Sequence, residues 1–208
     1  MQRSSPIHSM PVGPKAIVLL TLSAACSTAF AHPGHDAAGG LLAGFGHPFG
    51  GLDHLLVMLG VGIWSAMLAR RAWPDLLWAP LGFTAMLLAG VVIGIGGGSV
   101  PLVEPVIAAS VVVVGLLIAT QARMPVAAAA LLVGAFALFH GLVHGEHFGA
   151  APTGTWSAVA GLTLATVMLH LIGVAIGLAL RTAPRAGWMR LVGVGVAVAG
   201  AWILAVPV

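Results

Sequence analysis

The sequence predicts an all-α integral membrane protein: a cleavable N-terminal signal peptide over residues 1–31, then a six-helix transmembrane bundle over residues 32–208. Three observations carry this reading. Hydrophobic residues make up 60% of the chain and charged residues only 6%, whereas soluble domains hold about 25% charged residues. Apolar runs recur at roughly the 20-residue length that crosses a bilayer core, and Pro or Gly marks most junctions between them. The arginines fall in alternate junctions, as loop charge does in a multi-pass protein. A pI near 10.6 does not point to nucleic acid, because the net charge is only +3 and the basic residues stand singly or in pairs.

The elements follow in order. Arg3 and Lys15 form a positive n-region, Ala16 to Ala25 is apolar, and Ala29-Phe30-Ala31 is an A-x-A cleavage site. Cleavage would remove Cys26, the only cysteine, and leave a mature chain without disulfide or thiolate ligand. An uncleaved signal anchor is the other reading of this pattern. His32-Pro33-Gly34-His35-Asp36 is a short polar tail that reads either as a loose metal collector or as a flexible terminus. Residues 37–46 are too short to span, and are expected along the interface or folded back.

The centre of the chain is His47-Pro48-Phe49-Gly50-Gly51-Leu52-Asp53-His54, which leads directly into an apolar run. Pro48, Gly50 and Gly51 are expected to make the backbone around His47 an irregular turn. The six spans are expected at about 52–69, 75–96, 103–121, 125–145, 156–180 and 187–206. Gly90/Gly94/Gly98, Gly141/Gly145 and Gly173/Gly177 are small-xxx-small spacings that permit close helix approach.

Arg70, Arg71, Arg123, Arg181, Arg185 and Arg190 occupy the first, third and fifth loops, and the second and fourth loops hold none. The positive-inside rule makes the arginine loops cytoplasmic. The protein is then a multi-pass protein of the cell inner membrane with both mature termini outside the cytoplasm. This topology brings His47, Asp53 and His54, Glu104, and the run His140, His144, Glu146 and His147 to the outer face. His170 lies about 14 residues into its span, roughly 20 Å down.

His140 and His144 are four residues apart on one helix, so both imidazoles project from one face and can share an ion. Imidazole with carboxylate and no sulfur suits nickel, cobalt, zinc or copper(II). Each residue also has a plainer reading. Asp53 can cap its helix, and Glu104 can answer a helix dipole. Glu146 and His147 can be solvated loop, and His170 can be a structural hydrogen bonder.

His47-x5-Asp53-His54, together with Phe139-His140-Gly141-x-Val143-His144-Gly145, resembles the HupE/UreJ family. Val103-Glu104 and Leu169-His170-Leu171 extend the likeness, which runs from His32 to the C-terminus. The resemblance implies a permease with no permanently bound cofactor, whose transported ion is nickel or cobalt, with a functional link to urease or hydrogenase maturation. One departure stands out: the family pattern tends to His-Gly-x-Glu, whereas here Gly145 is followed at once by Glu146 and then His147.

Two other classes compete with import of a divalent ion. One is a membrane metalloenzyme with zinc on His140, His144 and Asp53. Against it, Gly141 stands where a His-Glu-x-x-His helix has glutamate. The other is a metal-binding assembly factor that transports nothing, for which the chain offers no sizeable soluble domain.

Overall fold

The computed structural model describes residues 40–69, 73–150, 153–181 and 187–206. The expected signal peptide, the His32–Asp36 tail, and Arg70, Arg71 and Arg185 lie outside those residues. The described residues are all-helical, with seven α-helices: α1 (Leu41–Gly50), α2 (Leu52–Leu68), α3 (Trp78–Ile95), α4 (Val103–Ala119), α5 (Val126–Gly149), α6 (Thr155–Arg181) and α7 (Gly187–Ala205). A short 3-10 turn, Asp75–Leu77, leads into α3. Four of these segments are long and apolar enough to cross a membrane by themselves, and a fifth is obtained if α1 and α2 count as one broken span. The remaining helix, α4, has 17 residues, or about 26 Å of rise, somewhat less than the hydrocarbon core.

Three boundaries differ from expectation, each for a local reason. Residues 41–50 are helical through Pro48, with the break only at Gly51, whose φ is −116° and ψ 125°. The chain turns 89° there, so His47 sits on a helix folded back against the bundle rather than on an irregular turn. Pro48 gives up one backbone hydrogen bond there and crowds the carbonyl four residues back, yet the helix continues through it to Gly50. At the other end of the bundle, α4 stops at Ala119, and Gln121 takes a left-handed φ of 54°. In contrast, α5 runs four residues past the expected Gly145, because the buried Phe148 still packs inward. Glu146 and His147 are therefore helical rather than loop.

The bundle is assembled from pairs: α3 with α5, α2 with α6, and α4 with α7, while α1 lies across the start of α6. Each pair meets at glycine. A methyl on Gly90 would fall on the Leu138 carbonyl, and one on Gly141 on the Leu87 carbonyl. Gly94 and Gly145 repeat the arrangement one turn on. In the α2–α6 pair a methyl on Gly62 would meet the His170 carbonyl, Val174 N at 2.8 Å and Gly173 Cα at 2.9 Å. In α1 the same holds for Gly44 against Ala158, and for Gly161 of α6 against Leu41. Backbones this close gain dispersion contacts that bulky side chains would forbid, which is how helices associate where lipid tails are as apolar as leucine.

Trp64, Phe83, Met58, Leu87 and Ile118 fill the interior and are fully buried. The outward side chains include Leu81, Leu131, Leu164, Leu191 and Trp202, all exposed. An apolar exterior on this scale needs lipid rather than water around it. One end of the bundle is tied by polar contacts. Arg181 Nη1 donates to the Ala66 carbonyl at 2.7 Å and the Ala69 carbonyl at 3.4 Å. Trp64 Nε1 donates to the Ala122 carbonyl at 3.0 Å, and Ser65 Oγ to the Leu76 carbonyl at 2.8 Å. Arg181 thus satisfies carbonyls that the end of α2 leaves open.

The glycine contacts make a direct prediction. Gly173→Leu would force α2 and α6 apart and cost about 1–3 kcal/mol, the usual range for overpacking. Gly195→Ala, whose added methyl meets nothing within 4 Å, should be neutral or slightly stabilising. Thermal unfolding of the detergent-solubilised protein should show a lowered midpoint for the first variant alone, and an unchanged midpoint in Gly173→Leu would remove close packing as the basis of the pair.

Candidate metal site

Three helices deliver imidazoles to one place. The 89° bend at Gly51 turns the end of α1 toward the start of α2, so His47 and His54 come within 6.1 Å of each other, ring centre to ring centre. The α3–α5 glycine contacts press α5 into the bundle and bury His140 and His144 completely. The rings of His54 and His140 are then 5.2 Å apart, His54 and His144 4.7 Å, and His47 and His144 4.8 Å. Phe148 lies against His47 at 5.5 Å and stacks on His144 at 6.1 Å, closing one side of the group.

Hydrogen bonding decides what these rings offer. His54 Nδ1 lies 2.7 Å from Asp53 Oδ1, so Nδ1–H donates to the carboxylate and Nε2 keeps the lone pair. That Nε2 is buried and has no hydrogen-bond partner. His140 Nε2 lies 3.0 Å from Ser110 Oγ on α4, while its Nδ1 is buried and unpartnered. His144 is unpartnered at both ring nitrogens. Buried polar atoms are nearly always satisfied, so a cluster of bare imidazole nitrogens stands apart from ordinary packing. Two imidazoles bound to one ion, with metal–nitrogen bonds of about 2.0–2.1 Å, would set their ring centres roughly 5 Å apart. The His54–His140, His54–His144 and His47–His144 separations match that spacing. Among the described residues, no group of three or more His, Cys, Asp or Glu side chains is already disposed to hold a metal ion. Ring rotation within the cluster would be needed to bring the donors onto one point.

The other expected residues fall into two sets. His147 is exposed, yet its ring centre lies 5.3 Å from that of His47, at the outer edge of the group. Glu104 and Glu146 are exposed, with no hydrogen bond or ion pair to the cluster among the described residues. His170 lies fifteen residues after Thr155 in the 27-residue α6, near its middle. It is buried, with both ring nitrogens unpartnered. Phe83 borders both, its ring centre 5.1 Å from that of His170 and 6.0 Å from that of His140. Sequence reasoning missed Ser110 and Phe83. Ser110 had a faint signal, as the one hydroxyl residue between Val106 and Ala119; Phe83 had none.

Comparison with known proteins gives the family. A family profile described as "HupE / UreJ protein" matches residues 19–203. The chain is 42% identical over 193 residues to Protein HupE of Rhizobium leguminosarum bv. viciae, covering 91% of this chain and 97% of that protein. No solved structure gives a significant match. The family match spans the helices that carry His47, Asp53, His54, His140, His144 and His170, and the chain belongs to the HupE/UreJ family.

Proposed function

We propose that this protein imports a divalent transition-metal ion, nickel before cobalt, across the inner membrane. His54, His140 and His144 serve as ligands, His47 joins from α1, and Asp53 orients His54. The observation that carries the reading is the meeting of imidazoles from separate helices, with buried nitrogens left bare for an ion. Neutral imidazole nitrogens without thiolate favour borderline divalent ions over calcium or magnesium. No permanently bound cofactor is needed, because the ion is the cargo. Hydrogenase or urease maturation is the expected consumer, in keeping with the family.

Topology supports a direction. Arg181 caps the far end of α2, twelve or more residues beyond His54, roughly 20 Å along the helix axis. Arginine contacts and histidine cluster therefore occupy opposite ends of α2. With the arginine end cytoplasmic, the cluster faces outward and receives the ion first. The bent α1–α2 pair and the shorter α4 then complete six crossings. A divalent cation entering an inside-negative cell gains about 4.6 kcal/mol per 100 mV, so no nucleotide hydrolysis is required of this chain.

His140→Ala and His144→Ala should each reduce uptake of labelled nickel at least tenfold in cells where membrane accumulation of the variant stays normal, and Glu104→Gln should reduce it less, because Glu104 lies apart from the rings. Wild-type uptake by both histidine variants would make the pair a packing feature. Orientation is checked separately. A reporter fused after Val208 should be active only outside the cytoplasm and one placed near Arg123 only inside, and a cytoplasmic C-terminus would overturn both the six crossings and the outward site.

A further inference from the structure

We propose that Ser110 is a positioning residue that holds His140 in the Nε2–H tautomer, so that Nδ1 is the nitrogen His140 offers to the cluster. The role as donor rests on the metal-transport reading; the tautomer does not.

The argument is one of counting protons. A serine hydroxyl has one proton to donate and an oxygen that can accept. Ser110 Oγ lies 2.6 Å from the Ile107 carbonyl oxygen, one turn back on α4. Two oxygens that close require a hydrogen between them, so the hydroxyl proton belongs to Ile107. Such a bond to the preceding turn is the usual resting place of a serine in a helix interior. What remains toward His140 is the acceptor side of Oγ, 3.0 Å from Nε2. Nε2 must then carry the proton and donate it. A neutral imidazole holds only one ring proton, which leaves the lone pair on Nδ1. That atom is buried and has no hydrogen-bond partner.

The reverse tautomer fails on the same contacts. It would put the proton on Nδ1, where no acceptor is found, and face the Nε2 lone pair toward an oxygen whose proton is already committed. Ser110 is held in place by its own helix. On α4, Gly115 lets α7 approach so closely that a methyl there would fall on Ala197 N, and Ser110 itself is fully buried. It therefore acts on His140 from outside the cluster. Asp53 does the corresponding work for His54 with the opposite outcome, fixing Nδ1–H and freeing Nε2. The two imidazoles present different nitrogens, and His144, unpartnered at both, is free to adopt either.

The test uses the full chain, labelled with nitrogen-15 histidine and reconstituted in lipid bilayers without metal. The His140 signal is identified as the one lost in His140→Gln. In the wild type it should show a protonated Nε2 and a bare Nδ1. Ser110→Ala should redistribute the proton to a mixture or to Nδ1, and Ser110→Thr, which keeps the hydroxyl, should restore the wild-type pattern. Nickel affinity of the same samples should fall about tenfold or more in Ser110→Ala, the effect typical of losing a partner that orients a ligand, and return to within a few-fold in Ser110→Thr. A wild-type His140 protonated at Nδ1, or an Nε2–H tautomer unchanged in Ser110→Ala, overturns the proposal. Absence of nickel binding by the wild type would overturn the metal reading instead, while the nitrogen spectra still decide the role of Ser110.

Discussion

The structure depends on backbones that touch. Lipid supplies no hydrophobic force to press one helix on another, so association rests on contact area and on the polar groups that helices bury together. Gly90 with Gly141, Gly94 with Gly145, and Gly62 with Gly173 remove the side chains that would hold the axes apart. The consequence is chemical as well as mechanical. His140 directly precedes Gly141, and His144 directly precedes Gly145. The residues that bring α5 into contact with α3 are thus neighbours of those that carry the imidazoles, and the close approach of the helices is what buries them. Any loosening of the pair admits water to both rings.

Burial without hydrogen bonding is normally a penalty. An unsatisfied buried polar group costs about 1–3 kcal/mol, and the cluster holds several such nitrogens on His54, His140 and His144. Helix packing offsets this cost, and an arriving ion would remove it. A site of this kind is preorganised in identity but loose in geometry. The ring centres already stand at distances suited to a shared ion, while no group of donors yet converges on a point among the described residues. For the carrier proposed above, that looseness is useful. A fully formed cage would hold the ion too tightly to release it, and conduction requires binding weak enough to be left.

Much of this was legible in the sequence, for reasons that differ by feature. The spans could be read because a bilayer imposes a length and excludes charge, and the helix from Thr155 to Arg181 differs from its expected bounds by one residue at each end. The histidines could be read because four-residue spacing on a helix places His140 and His144 on one face whatever surrounds them. The backbone near His47 was misjudged. Pro48 and the glycines look like breakers, yet here the helix runs through Pro48, and only Gly51 breaks it. The extension of α5 to Gly149 depended on Phe148 finding a buried place, which no local pattern specifies. Ser110 was invisible as a functional residue because a single hydroxyl in an apolar helix usually just bonds its own backbone. Here it does that as well, and its significance comes entirely from which ring lies on its other side.

The position of Phe83 carries the transport reading one step inward. His170 is the other buried imidazole, and the Phe83 ring borders both it and His140. Gly62 against His170 and Gly173 places His170 level with the middle of α2, so it stands between the histidine end and the arginine end. In the import proposed above, an ion leaving His140 and His144 for His170 would meet the Phe83 ring that borders both sides. A phenyl ring offers no lone pair, but its face attracts cations electrostatically, so on that proposed path Phe83 would be a weak site rather than bare hydrocarbon. The proposed descent is then a sequence of unequal holds: several imidazoles at the outer end, one ring face, one imidazole further in. In the proposed import path the outer hold can therefore exceed the inner one by no more than the few kcal/mol that the membrane potential supplies.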